Sequence, residues 1–380
     1  MTTTLTAGQT RAYDAIMRWM KTEKKIFTLA GFAGTGKTTL INYIIKQLDI
    51  LPISCAYTGK AALAMRDRGV ENASTIHSTI YKYVEPSKKI ATLDELNKLL
   101  ATATGDERTD IQRNIQQLNH DLSKPIFILN RASEAYNSEL IIVDEYSMLS
   151  ADIVRDLSKF GKKILFVGDP GQLEPIEDTG GGCPLKPDIF LKEIMRQALD
   201  NPIIRAATQV REHGNLSNIP NTAEFAVSNR FPSKDMMQAA DQVICGMNGT
   251  RRRINSMFAT AVEPGVKVVC LQNNHEIGIY NGMLGKISAV HKQDAEEIVM
   301  DVDNLSRLHV WAGTFTGKTP GYYDRKNYEL FDYGYAITCH KAQGSEWDKV
   351  VIVNDWTRDT KRWLYTAITR ARKAVRVYNV

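Results

Sequence analysis

With 380 residues, 43% of them hydrophobic, the chain is long enough for two or three packed domains, and no apolar run approaches the ~20 residues that cross a bilayer, so no membrane partner is expected. The five cysteines (Cys55, Cys183, Cys245, Cys270, Cys339) are scattered and never spaced C-x-x-C, which argues against a zinc site or a disulfide framework and fits reduced thiols. A formal charge of +5 permits a polyanionic partner without demanding one, and the opening MTTTLTAGQTRAYDAI has no basic stretch followed by an apolar segment, so a cytoplasmic protein without a secretory signal is expected.

No internal repeat is visible. Residues 25–30 (KIFTLA) predict a short buried strand, followed by a glycine-rich turn and an amphipathic helix over 38–48. Residues 52–56, 139–143 and 163–168 are further short apolar runs rich in β-branched residues, the signature of a parallel sheet covered on both faces. Residues 80–135 interrupt this alternation. There 93–120 is polar with leucine and isoleucine at helical spacing, and 125–129 (PIFIL) predicts a strand. A second α/β region starts near 190, with strands at 242–246, 334–338, 349–353 and 375–379. Between them, VKVVCLQNN, GIYNGMLGKISAV and EEIVMDVD are broken by Gly, Asn and Asp, as hairpins would be. The chain thus divides into a first core (1–79 and 136–189) with an insert at 80–135, and a second core (190–256 and 333–380) with a β-rich insert at 257–332.

The strongest single signal is Gly31-Phe32-Ala33-Gly34-Thr35-Gly36-Lys37-Thr38, which matches G-x-x-x-x-G-K-[ST] between a strand and a helix. Glycines let the backbone amides wrap a phosphate, and the helix N-terminus favours its charge. Lys37 can reach the β- and γ-phosphates, and the Thr38 hydroxyl can ligate Mg²⁺. Asp144-Glu145 ends the apolar strand SELIIV, at the edge where parallel sheets bind ligands. Alone, such a pair is more commonly a solvated turn. Beside the glycine loop, Asp144 reads as a Mg²⁺ holder and Glu145 as the base that activates water. Gly168-Asp169-Pro170-Gly171-Gln172 closes the next strand, where Gln172 could sense the γ-phosphate or simply end a tight turn.

Further segments complete an ordered set: Thr58-Gly59-Lys60-Ala61-Ala62, Ser74-Thr75-Ile76-His77-Ser78, Val143 to Met148, Gly168 to Pro175, Glu193-Ile194-Met195-Arg196-Gln197, Thr338 to Trp347, and Tyr365 to Arg372. This set resembles motifs Ia, Ib, II, III, IV, V and VI of the superfamily 1 helicases, nearest the RecD-like and phage Dda-like 5′→3′ group, with the glycine loop as motif I. The resemblance implies an α/β fold of two RecA-like P-loop cores with parallel sheets. Each core would carry an insert: a helical or hairpin one bearing the pin in the first and a small β-barrel in the second. Gln9 resembles the adenine-reading glutamine, and Gly34, Thr35, Gly36, Lys37, Thr38 and Thr39 the phosphate cradle. Arg196 and Arg370 resemble the two arginines that reach the γ-phosphate from the second core, and Glu346 the ribose contact. Thr58, Lys60, Thr75 and His77 from the first core, with Thr338, His340 and Lys341 from the second, would hold one DNA strand. Trp311, Trp347 and Trp363 are either stacking faces or core. Tyr57, Tyr146, Glu174 and Met195 depart from the residues usual at their motif positions.

The implied activity is an ATP-dependent DNA helicase that uses Mg²⁺, translocates 5′→3′ on single-stranded DNA and opens forked duplex in replication, recombination or repair. The alternative is a single-strand-stimulated ATPase that remodels protein–DNA complexes without processive unwinding. A monomer of phage or bacterial type is expected, in the host cytoplasm if phage-encoded. Single-strand-binding or replisome proteins would be further partners.

Overall fold

The computed structural model describes residues 5–70, 72–122, 126–174, 183–193, 200–274 and 276–380. The chain packs as two compact units, one of Met1–Ile80, Arg131–Thr260 and Gly334–Val380, the other of Tyr81–Asn130 and Ala261–Tyr333.

The first unit holds two parallel sheets. Its elements begin with α1 (Ala7–Met20), β1 (Ile26–Gly31), α2 (Lys37–Gln47), β2 (Ile53–Ala56), α3 (Gly59–Asp67), β3 (Ser74–Thr75) and α4 (Ile76–Ile80). The chain then leaves through β4 (Tyr81–Val84), α5 (Ser87–Leu100), α6 (Gly105–Leu122) and β5 (Ile126–Leu129), and returns in β6 (Leu140–Asp144), α7 (Ala151–Ser158), β7 (Lys163–Gly168) and β8 (Ile189–Leu191). The first sheet has the order β3-β2-β6-β7-β1-β8, with every pairing parallel. Its central strands are mostly apolar because both faces are covered. Leu29, Leu140, Ile142, Leu165 and Val167 pack against Ala12, Ile16 and Trp19 of α1 and Leu40, Ile41 and Ile44 of α2. This order brings the C-terminal ends of β1, β6 and β7 to one edge, and these ends carry the glycine loop, Asp144 and Asp169.

The second parallel sheet uses β9 (Phe225–Ser228), β10 (Gln242–Cys245), β16 (Ala336–Thr338), β17 (Trp347–Asn354) and β18 (Ala371–Asn379), in the order β16-β10-β17-β18-β9. The edge strands β3, β8 and β9 do not follow from the sequence pattern, since each has four residues or fewer and little apolar contrast.

In the second unit, β4 and β5 form an antiparallel ribbon that closes the α5–α6 helical pair. The insert is therefore a pair of helices on a ribbon whose second strand, β5, is the run predicted at 125–129. The remaining strands are β11 (Lys267–Cys270), β12 (Leu284–Gln293), β13 (Glu297–Val302), β14 (Leu305–Trp311) and β15 (Phe331–Tyr333). They form an antiparallel sheet in the order β14-β13-β12-β11-β15. A bridge between Val310 and Glu329 joins its two ends and curls it into a small barrel. The two inserts share a core: Leu93 and Leu122 pack with Tyr322 of the helix Tyr322–Asn327. Around that core, the Tyr322 hydroxyl and Lys326 donate to Glu85 at 3.2 and 3.1 Å, and the Tyr323 hydroxyl donates to Asp94. No helix among the described residues is long and apolar enough to cross a membrane, and all five cysteines are unbridged thiols.

Candidate nucleotide site and nucleic-acid track

The loop after β1 is built for close backbone approach. Gly34 and Gly36 take φ of 78° and 74°, a region L side chains avoid. A Cβ on Gly31 would lie 2.7 Å from the Thr35 hydroxyl. Gly36 caps α2 without any side-chain acceptor, so the first amides of that helix remain available to a phosphate. The Lys37 ammonium lies across the loop, donating to the carbonyls of Gly31 at 2.6 Å and Phe32 at 3.1 Å. Gln9 is buried, closes a capping box with Thr6, and donates to the carbonyls of Thr35 and Gly36 at 3.3 Å. It braces the loop from behind. Thr35 is buried, whereas Gly34 and Thr39 are exposed.

Asp144 and Glu145 follow β6 in a turn that places Glu145 at φ 57°, left-handed for a residue with a Cβ. Such backbone costs on the order of 1 kcal/mol and clusters at functional sites. Burial lifts both carboxyls. Glu145 reaches about 7, raised further by Asp144 and Asp169 and lowered by Arg370 and Lys37. Asp144 is raised by burial, against an amide hydrogen bond from Glu145 and the charges of Lys37 and Arg68. The glycine loop, the acidic pair and Arg370 of the second sheet therefore share one electrostatic neighbourhood.

The second sheet's elements meet the first at this edge. Arg370 is 5% exposed and held by the carbonyls of Thr366 and Ser345 and by the Thr369 hydroxyl. Tyr365, in the helix Thr360–Ile368, accepts from the Ala33 amide at 2.9 Å and donates to the buried Asp169 carboxylate at 2.5 Å. The Leu173 amide donates to Thr366, and Gln343 donates to the Leu173 carbonyl. Arg362 pairs with Glu174. Gln172 is buried, and its Oε1 has no partner among the described residues. A buried polar atom left this way marks a place where a ligand or water is wanted. The Tyr146 hydroxyl is equally orphaned, and its ring abuts Gly168. Glu346 pairs with Arg68 at 3.4 Å, and Arg68 also reaches the Thr38 hydroxyl at 3.5 Å. Arg196 and Met195 lie outside the described residues.

Among the described residues, no three His, Cys, Asp or Glu side chains form a metal cluster. Arg68 reaches the Thr38 hydroxyl and its charge acts on Asp144; these two oxygen donors would suit Mg²⁺, an ion that takes few protein ligands and completes its shell with phosphates and water.

The residues expected along the DNA strand divide into two groups. Thr58 caps α3, and its Oγ1 would lie 3.1 Å from a Cβ on Gly344, so the motif Ia-like and motif V-like segments adjoin there. Lys60 sits 5.3 Å over the ring of Trp347, and His340 packs edge-on against Trp356. Thr338 and Lys341 are half-buried at the end of β16 and in the turn that follows. Thr75, by contrast, is buried and its hydroxyl is spent on Ser78, while His77 packs edge-on against Tyr57. Burial lowers the His340 pKa, which favours a neutral ring. Trp363 is fully buried core, and Trp311 is half-buried against Gly313.

Residues 14–177 match the family described as AAA domain, and 333–378 match the UvrD-like helicase C-terminal domain. Over 92% of its length the chain is 27% identical to the ATP-dependent RecD2 DNA helicase of Deinococcus radiodurans. It is 26% identical to the ATP-dependent DNA helicase dda of Enterobacteria phage T4 over 54% of this chain. These matches support a superfamily 1 helicase of the RecD and Dda type. It spans 46% and 42% of these two relatives. The fold matches that of Bacteroides Pif1 bound to ssDNA, with a TM-score of 0.60 at 19% identity, covering 100% of this chain and 93% of that one. In family terms, motifs I, II and III lie at the ends of β1, β6 and β7, and motifs V and VI flank β17.

Four residues at the nucleotide edge escaped the sequence reading. Tyr365 and Asp169 stood inside motif strings without a role of their own, and a buried hydroxyl–carboxylate pair between distant segments leaves no local signal. Arg68 looks like an ordinary helix-end charge. Arg211, whose guanidinium lies 3.6 Å over the Phe32 ring, is in a helix with no motif.

Proposed function

We propose that this chain is an ATP-driven DNA motor, a helicase that steps along single-stranded DNA and opens duplex at a fork. The observation that carries the reading is Glu145. Its carboxyl is raised to about 7, with Lys37 of the glycine loop and Arg370 of the second core as its balancing charges. A carboxylate tuned near neutrality suits a base that takes a proton from an attacking water. In this reading Lys37 neutralises the β- and γ-phosphates, and the loop amides from Gly34 to Thr39 cradle them. Gln172 presents its unpaired Oε1 to the water. Arg370, with Arg196, stabilises charge spread over the transferring phosphoryl group. Mg²⁺, held by Thr38 and Asp144, would offset phosphate charge. Glu346 and Gln9 would contact the sugar and base side of the nucleotide.

Arg370 comes from the core of the second sheet and the phosphate loop from that of the first, so each cycle couples hydrolysis to cleft closure. Thr58, Lys60, His340 and Lys341 hold the strand through its phosphates, without reading sequence. The relatives named RecD2 and dda support the helicase reading. The direction is 5′→3′, and the insert at 80–135 carries the pin; both rest on the family resemblance, as do the monomeric state, a cytoplasmic setting and partners among single-strand-binding or replisome proteins. The work served is replication, recombination or repair.

The direct test is phosphate release with and without poly(dT). Wild type should be strongly stimulated. Lys37→Ala should show no hydrolysis while retaining strand binding by anisotropy. Hydrolysis by Lys37→Ala at the wild-type rate would sink the assignment of the loop.

A further inference from the structure

We infer that Tyr365 is a positioning residue that ties the phosphate loop to the Asp169–Gln172 turn and thereby makes hydrolysis depend on how closely the two cores approach. The inference rests on the ATPase reading above. The hydroxyl is 1% exposed with its residue and bonded at both ends: it accepts from the Ala33 amide and donates to Asp169. A phenol oxygen can do both at once, and a hydrogen bond to a carboxylate is among the stronger kinds. Asp169 is fully buried and passes the restraint on, since its other oxygen accepts from the Gly171 amide at 2.9 Å and its carbonyl accepts from the Gln172 amide at 3.2 Å. The Tyr365 ring packs on the same turn, 3.1 Å from where a Gly171 Cβ would be. The turn is therefore shaped from the second core.

Among the described residues the Gln172 Oε1 has no hydrogen-bond partner that would fix its aim, so the turn aims it. On the other side, Phe32 is covered by Arg211, also of the second core. Two adjacent loop residues, Phe32 and Ala33, and the turn that carries Gln172 are thus gripped by one surface. Parting of the cores breaks the Tyr365–Asp169 bond. The Gln172 aim is then lost while Lys37 and the loop glycines still hold nucleotide. Tyr365 touches no reacting atom in this scheme; it acts through Gln172.

The test is steady-state ATP hydrolysis at saturating poly(dT) for wild type, Glu145→Gln, Tyr365→Phe, Gln172→Ala and the Tyr365→Phe/Gln172→Ala pair. Wild-type hydrolysis that Glu145→Gln abolishes establishes the ATPase reading separately; a wild type without hydrolysis refutes that reading and this inference with it. Given an active wild type, Tyr365→Phe should lower kcat about tenfold, the effect of one strong hydrogen bond, with KM for ATP within about twofold. In the Gln172→Ala background the same substitution should cost less than about twofold, because the residue it positions is gone. A Tyr365→Phe enzyme at full kcat overturns the inference, as do losses that multiply in the double variant. Should Tyr365→Phe fail to fold, Asp169→Asn must show the same kcat loss and the same dependence on Gln172, and a full-speed Asp169→Asn overturns it.

Discussion

Replacing Glu145 by glutamine removes the proposed base and also relieves a folding cost whose pH dependence can be worked out. Lifting the carboxyl from 4.5 to about 7 corresponds to about 3 kcal/mol against the ionised form. Glu145 is half-buried, and solvent screening brings the net cost to about 1–2 kcal/mol. Below about pH 4.5 the group is protonated in folded and unfolded chains alike, and the cost is absent. Between that value and about 7 the unfolded chain ionises first, so stability falls as pH rises; above about 7 the full cost persists. Glu145→Gln should therefore match wild type near pH 4.5 and exceed it at pH 8, by roughly 2–8 °C in Tm at the usual few degrees per kcal/mol. Calorimetry or thermal circular dichroism at both values reads this out, with hydrolysis abolished throughout. A variant no more stable than wild type at pH 8, or a gain that is the same at both pH values, would refute the claim that burial holds this carboxyl up.

The same shift fixes the rate profile. Because the ionised form of Glu145 accepts the proton, kcat/KM for ATP should rise through an acid limb centred near 7, and Glu145→Asp should move that limb. Leu93→Ala should open the core that Leu93 shares with Leu122 and Tyr322, at about 2–5 kcal/mol, seen as faster amide exchange across 87–122. Lys60→Ala should weaken single-strand binding by a similar factor on all sequences and flatten the log–log salt slope by about 0.7, the value for one lost phosphate contact.

What the sequence carried was what is periodic or local. The buried strands β1, β6 and β7 are largely apolar runs because both faces are covered, and they appear almost to the residue. The glycine loop is legible because its left-handed positions at Gly34 and Gly36 demand glycine. The edge strands β3, β8 and β9 were silent because a short strand at an edge needs no apolar run. Strand β5 answers the run predicted at 125–129, whereas its partner β4 escaped because Lys82 and Tyr83 are exposed and the segment shows no apolar run. The tertiary pairs Tyr365–Asp169 and Arg211–Phe32 join segments far apart in the chain, and no spacing rule reaches that distance. Thr75 shows the reverse case. Its string fits motif Ib, yet the fold buries the hydroxyl on Ser78.

The central claim is that closing the cleft on ATP moves a single strand through the protein and opens duplex. Two forked duplexes, one with a single-stranded 5′ tail and one with a 3′ tail, test it in one assay of ATP-dependent unwinding. The account expects the 5′-tailed fork to open and the 3′-tailed fork to stay closed, with Glu145→Gln inactive on both. Opening of the 3′-tailed fork alone would overturn the direction, and two closed forks beside an active single-strand-stimulated ATPase would contradict the claim that this motor unwinds.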